Sequence, residues 1–305
     1  MTGVRGVVPA IVTPFDSNGE VDHASLNRVV GEQRAAGADG LLALGLAGEG
    51  IYLTFEERAA VLATVLAAAG DLPVLAGCTA DTTDDACRLV TMANRLGAAE
   101  VMVAPPRRPD WTRDDLRAHF GRVAAATDGQ VMIQDAPFAI GVELGVEFVL
   151  ELAEAFPNVR SYKVEALPYW SNATRARKVA GGRLRILGGH GGLYLLDVLD
   201  SGADGLIPGC DLTRELVDAW AAYQASDRAG AEQIYLRILP FLVYEAQSLG
   251  LLVGSAKTIL ARQGVIATTI SRLPDAQLTN ETVQRLLTTA CNCGILREDN
   301  TADQA

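Results

Sequence analysis

Residues 37–49 read GADGLLALGLAGE. Gly37 stands where a helix should end, Ala38 and Asp39 form a short junction, and Gly40 to Gly45 is an apolar run too short for a helix. The same grammar returns in GAAEVMVA at residues 97–104 and in GADGLIPG at residues 202–209. A helix stop, a small junction and a short apolar run, repeated, describe strands separated by helices, and hence a parallel sheet.

Working outward from these three places, we expect eight strands: Gly6 to Thr13, Gly40 to Gly45, Pro73 to Thr79, Glu100 to Ala104, Gln130 to Asp135, Val159 to Glu165, Leu184 to Gly188 and Gly205 to Gly209. The segments between them carry helical spacing. Thr54 with Glu57 three residues on forms a capping box, and Gly70 and Gly97 mark helix ends. Strands that are apolar throughout have both faces buried, as in a closed barrel wrapped by helices. The expected fold is therefore an α/β (β/α)8 TIM barrel, with an open doubly wound sheet as the alternative.

Past Gly209 the pattern is helical only: Leu212 to Ala225, Ala229 to Ser248, Ser255 to Gln263 and Glu281 to Cys291 are amphipathic. We assign residues 1–225 to the barrel, 226–296 to a helical C-terminal extension and 297–305 to a polar, flexible tail. No linker rich in Pro, Gly or Ser divides the chain.

Composition limits function. The 305 residues are 49% hydrophobic and 21% charged, enough for one large core. A net charge of -11 without a basic run argues against nucleic acid or an anionic membrane as partner. The opening MTGVRGVVPAIVTPF is too short an apolar stretch to span a bilayer and is broken by Pro9 and Pro14, so it reads as a first strand. Five cysteines without CxxC spacing suggest neither a disulfide framework nor a zinc site, and a cytoplasmic location follows as the expectation.

In such a barrel, chemistry sits at the C-terminal ends of the strands. Lys163, in VRSYKVE, is a long cation inside a strand-like segment. A desolvated lysine loses proton affinity and becomes an amine able to condense with a carbonyl; alternatively Lys163 merely pairs with Glu165. Side chains two apart on a strand share a face, which puts Glu165 beside Lys163 as acid, base or counterion. His190, in LGGHGG after the seventh strand, is either incidental or a group that titrates near working pH. Asp135, Tyr194 and Tyr52 are rim candidates, although Asp135 could cap a turn and Tyr194 could be core. Cys210 reads as a buried filler.

The opening GVVPAIVTPFDSNGEVD, the strand-2 exit GLAGEGIYLTFEER, the segment QDAPFAIGVEL and the strand SYKVE occur in the order and spacing of the dihydrodipicolinate synthase and N-acetylneuraminate lyase family, which the chain resembles over about its whole length. The resemblance implies a homotetramer whose Lys163 forms an imine with pyruvate or another 2-oxo acid, with no metal or organic cofactor. The family's GTTGE-like loop, which holds the oxo acid's carboxylate, corresponds to Gly45, Leu46, Ala47, Gly48 and Glu49; both hydroxyls are gone, leaving the backbone N–H groups of Leu46, Ala47 and Gly48 as anion ligands.

Further departures bear on activity. Gln134 stands where the family has its proton-relaying tyrosine, and apolar Ala139 falls near the position of the arginine that recognises a second substrate's carboxylate. Dihydrodipicolinate synthase activity is therefore not expected. The loop APPRRPDW lacks the tyrosine lent across the family's dimer, and Arg107 or Arg108 could face the substrate instead, or simply be exposed. The reading is a Schiff-base lyase of aldolase type, with a dehydratase or deaminase of a hydroxylated 2-oxo acid as second choice and a silent 2-oxo acid binder as third. Lys178 and Lys257 are read as helix residues facing solvent or an interface.

Overall fold

The strands are short because each only has to cross a barrel wall before its loop begins, and the helices between them carry the remaining apolar surface. The computed structural model describes residues 3–297. The chain runs β1 (Gly6–Val7), α1 (His23–Ala35), β2 (Leu41–Ala43), α2 (Phe55–Ala69), β3 (Val74–Gly77), α3 (Thr83–Leu96), β4 (Glu100–Val103), α4 (Arg113–Ala125), β5 (Gln130–Asp135), α5 (Pro137–Ile140), α6 (Val146–Ala155), β6 (Val159–Val164), α7 (Tyr169–Ala180), β7 (Arg185–Gly188), α8 (Leu195–Asp200), β8 (Gly205–Leu206), α9 (Thr213–Gln224), α10 (Arg228–Glu245), α11 (Leu249–Arg262) and α12 (Asn280–Asn292). The predicted strands all lie where expected, β5 with the expected bounds and the others with shorter ladders. The tail assigned to residues 297–305 falls, apart from residue 297, outside the described residues.

All strand pairs are parallel, β2 through β8 pair in sequence order, and β1 pairs with β8. The remaining gap closes through a bridge between Ala10 and Leu42, with Ile11 N–H donating to Leu42 O and Leu42 N–H to Pro9 O. The sheet thus has no free edge, which excludes the open doubly wound alternative.

Two apolar layers follow from the strand period of two. Val8, Leu42, Leu75, Met102, Met132 and Leu187 fill the barrel interior, and a larger cluster packs the outward side chains of the strands against the helices. At the N-terminal end, Arg185 on β7 donates to Glu100 (3.0 Å), Gln130 (2.7 Å) and Ser161 (2.6 Å), a buried polar plug that neutralises Glu100. Such an arrangement belongs to the stability face of the barrel.

The C-terminal helices close the other end. Helix α11 starts at Leu249, six residues before the expected Ser255, because the Ser248 hydroxyl caps it by accepting from Leu251 N–H (3.0 Å). Gly250 and Gly254 form a seam on this helix. A Cβ on Gly250 would lie 2.4 Å from Asp275 O, and one on Gly254 2.6 Å from Ala276 O, so only glycine admits the crossing segment. Leu252 and Leu249 are thereby held over the barrel mouth.

Candidate active site

Three of the four non-glycine residues with positive φ among the described residues lie at the C-terminal mouth: Leu44 (61°), Glu49 (56°) and His190 (56°). Strained backbone of this kind persists where surrounding contacts over-determine it, and here it aims two loops at one cavity. The cavity is lined by Lys163, Glu165, Gln134 and His190, together with the apolar side chains of Leu46, Ala47, Phe138, Leu249 and Leu252.

Lys163 enters from β6, where Ser161 and Lys163 point inward while Tyr162 and Val164 face the helices. Its Nζ lies 3.2 Å from Glu165 Oε2, and its side chain is only 7% exposed. Gln134 is its register partner on β5, and Gln134 Nε2 donates to the same Glu165 oxygen at 2.7 Å. Glu165 Oε1 accepts from the His190 N–H at 2.8 Å. The carboxylate is thus fixed by an ammonium, an amide and a backbone N–H. Burial opposes its ionisation, but the Lys163 charge, the Gln134 amide and the His190 N–H hold it below the usual glutamate range.

That backbone bond explains the glycines of LGGHGG. A Cβ on Gly189 would lie 2.3 Å from Glu165 Oε1, so the loop approaches the carboxylate only because residue 189 has no side chain. The His190 ring packs against Phe138 (centroids 4.3 Å) and edge-on to Tyr194 (5.3 Å), which itself stacks on Tyr169 (5.8 Å). Burial lowers the His190 pKa, Glu165 opposing it, and Nδ1 has no hydrogen-bond partner among the described residues. The ring is therefore neutral at neutral pH.

The structure does not bring every predicted residue to this cavity. Asp135 follows Gln134 on β5 and so points to the opposite face; its carboxylate accepts from Leu144 N–H (3.0 Å), Gly145 N–H (3.1 Å) and Tyr162 Oη (3.0 Å), tying β5 to the loop before α6. It is a turn anchor outside the cavity. Arg107 is exposed beyond β4 and also stays away from the cavity, while Arg108 pairs with Asp110 (2.8 Å). Tyr194 supports His190 from behind and Tyr52 packs on the interior cluster, neither lining the cavity. Cys210 is buried and its thiol is pushed up to about 12, as befits a filler.

The 45–49 loop is divided. Leu46 and Ala47 line the cavity, and their N–H groups have no acceptor among the described residues; Gly48 N–H is occupied by Gly45 O (3.1 Å), so it is no longer an anion ligand. Glu49 turns away and is fully buried, accepting from Ser271 Oγ (2.7 Å), Arg272 N–H (2.6 Å), Leu273 N–H (2.9 Å) and Lys257 Nζ. It clamps the loop to the C-terminal segment instead of touching a ligand. Lys257, expected at a surface, is wholly buried in this ion pair, under the Phe15 ring at 4.5 Å.

Sequence reading missed Phe138, Leu249 and Leu252. The stretch QDAPFAIG reads as a loop, yet Pro137 at a helix start makes residues 137–140 one helical turn that lifts Phe138 over the cavity. The Ser248 cap before Leu249 was the available signal for the other two.

Comparisons with known proteins give the family and the fold. A model described as the dihydrodipicolinate synthetase family matches residues 3–291. The chain is 32% identical over 296 residues to the L-2-keto-3-deoxyarabonate dehydratase of Azospirillum brasilense, covering 94% of this chain and 93% of that protein. A 4-hydroxy-tetrahydrodipicolinate synthase of Hydrogenobaculum sp. (strain Y04AAS1) is 34% identical over 161 residues, which span 52% of this chain and 55% of that one. The dihydrodipicolinate synthase of Acinetobacter baumannii, solved with pyruvate, superposes with a TM-score of 0.89 at 25% identity, covering 96% of this chain and 100% of that one.

Proposed function

The chain belongs to the dihydrodipicolinate synthetase family, and we propose that within it this protein is a class I lyase whose Lys163 forms an imine with pyruvate or another 2-oxo acid. The amine adds to the C2 carbonyl, water leaves, and the protonated imine draws electrons from a bond at the adjacent carbon. The observation that carries the reading is the enclosure of Lys163 at the base of the cavity, its Nζ beside a carboxylate that two further donors hold in place.

Each neighbour has a part. Glu165 orients the Lys163 amine and is the base that takes its proton on attack, returning it to the departing oxygen. Gln134, which cannot exchange a proton as a phenol does, fixes the carboxylate. The Leu46 and Ala47 N–H groups receive the oxo acid's carboxylate. Neutral His190 is placed to exchange a proton further along the substrate.

Whether the electron sink serves cleavage or elimination is decided by the substrate. Among the cavity-lining residues the only fixed cation is Lys163 itself, so an acceptor carrying a second carboxylate has no guanidinium to meet. This disfavours synthase activity. It favours a retro-aldol reaction of a single oxo acid or, as the second reading, a dehydration like that in the name of the Azospirillum relative. Product analysis separates them, since a new aldehyde marks cleavage and loss of water marks elimination. Borohydride reduction with pyruvate should leave a covalent adduct on Lys163 and none on the Lys163→Ala protein; trapping that persists at Lys178 or Lys257 would overturn the assignment.

We also propose self-association and a cytoplasmic location. Trp170 and Val179 on α7 and Leu236 and Val243 on α10 are large apolar side chains at least 43% exposed. Among the described residues no helix is long and apolar enough to cross a membrane. Light scattering at micromolar concentration should give a dimer or tetramer, and a strictly monomeric mass would refute this part.

A further inference from the structure

We infer that the oxo acid taken by this site carries an apolar, aromatic or branched aliphatic group beyond C3, not a chain of hydroxyls. This rests on the Schiff-base reading of Lys163 and concerns what lies further along the same cavity.

Few of the residues lining the cavity have polar side chains. Lys163, Gln134 and Glu165 bind one another, and the N–H groups of Leu46 and Ala47, which also line the cavity, have no acceptor among the described residues. An oxo acid with its C2 at Lys163 and its carboxylate at that loop must send its remaining atoms toward Phe138, Leu249, Leu252 and the His190 face. Beyond the Lys163 cluster the polar side chains among the lining residues are His190 and Ser248, and the Ser248 hydroxyl already caps α11. The His190 ring is sandwiched by aromatic contacts, so it offers one polar edge and one apolar face.

Phe138 strengthens the case because it is 51% exposed on a one-turn helix over the mouth, a position where solvent disfavours an aromatic ring. A ligand ring or branched chain against Phe138 and Leu252 removes that surface from water. A polyhydroxylated chain entering the same space gives up its hydrogen bonds to water with only the His190 ring as a free side-chain partner in exchange, which makes each unmatched hydroxyl unfavourable.

Imine trapping reads this preference without depending on the later chemistry. The Lys163 amine adds to the ketone, water is lost, and borohydride delivers hydride to the imine carbon, leaving a stable secondary amine. Half-saturating concentrations for adduct formation should be measured with pyruvate, phenylpyruvate, the oxo acid of leucine and 2-keto-3-deoxygluconate. Phenylpyruvate or the leucine oxo acid should half-saturate at a concentration at least about tenfold below 2-keto-3-deoxygluconate, roughly one unmatched hydroxyl's worth of discrimination. Phe138→Ser, a change at a half-exposed position that the fold tolerates, should shrink that ratio by about threefold or more. Equal or tighter capture of 2-keto-3-deoxygluconate, with pyruvate trapped normally, overturns the inference and leaves the imine reading standing. No adduct with any of the four overturns the imine reading, and this inference with it.

Discussion

Replacing Glu49 by Gln should destabilise the protein more than replacing Lys257 by Met, although both break one ion pair. Both side chains are wholly buried. In Lys257→Met the Glu49 carboxylate keeps three donors, Ser271 Oγ, Arg272 N–H and Leu273 N–H. The loss then sits at the low end for a broken buried pair, about 3 kcal/mol. In Glu49→Gln those three donors compete for one amide oxygen, and Lys257 keeps only Ile270 O (2.7 Å) and the Phe15 ring. Burial already lowers the Lys257 pKa against the pull of Glu49, and without Glu49 the amine loses its proton. At pH 7 that discharge costs at most about 1.4 kcal/mol per pH unit below 10.4, or roughly 5 kcal/mol.

With an unfolding entropy of about 2.1 cal/mol/K for each of the 305 residues, these losses lower Tm by about 5 °C for Lys257→Met and about 8 °C for Glu49→Gln. The pH dependence is the sharper test. In Glu49→Gln the lysine is neutral when folded and protonated when unfolded, so the unfolded state binds the extra proton and stability rises with pH, up to a pH near the unfolded lysine value. The gap to the parent should narrow by up to about 3 kcal/mol between pH 7 and pH 9. Calorimetry or denaturant titration at both pH values measures it. Equal losses in the two variants, unchanged between the two pH values, would refute the reasoning.

Glu165→Gln keeps shape and hydrogen bonding but removes the titrating group, so imine trapping should remain detectable while turnover drops about a hundredfold or more; unchanged turnover would remove Glu165 from the chemistry. His190→Asn tests the second proton carrier, and should lower turnover without weakening pyruvate trapping, because the backbone N–H to Glu165 survives the substitution. Gln134→Tyr should not raise activity, since a phenol needs space that the Gln134–Glu165 contact fills, and a gain would show that the tyrosine is the missing relay. A pair of buried carboxyls offers a stability test: burial pushes Glu245 well up, with Asp211 adding to the rise, and pushes Asp211 up to about 6. Both bind protons more tightly folded than unfolded, so their contribution is present at low pH and falls as pH rises from about 4 through 6 and beyond. Glu245→Gln should flatten that fall, gaining on the parent by up to about 1.4 kcal/mol per pH unit in denaturant titrations between pH 5 and 7, and parallel curves would exclude a raised Glu245.

What the sequence by itself determined is everything that follows from period and local chemistry. The GADG and GAAE junctions, the eight apolar runs and the Thr54–Glu57 box specify strand, helix and order, because hydrogen-bonding geometry and side-chain alternation are properties of neighbouring residues. The same alternation placed Lys163 with Glu165, two residues apart, and the structure brings Gln134 and His190 to them. Tertiary structure decided which charged group meets which across distant segments. Glu49 and Lys257 lie 208 residues apart, and no local pattern shows that a loop glutamate turns from the cavity to hold a helix lysine. Closure of the ring through Ala10 and Leu42, and the arrival of Leu249 and Leu252 over the mouth, also depend on contacts between elements far apart in the chain. Asp135 lies between these cases, since its outward direction follows from Gln134 pointing inward, but only the register of β5 against β6 fixes which of the two faces Lys163. Burial is set by the whole packed molecule, so the same lysine type is a candidate nucleophile at residue 163 and a structural cation at residue 257.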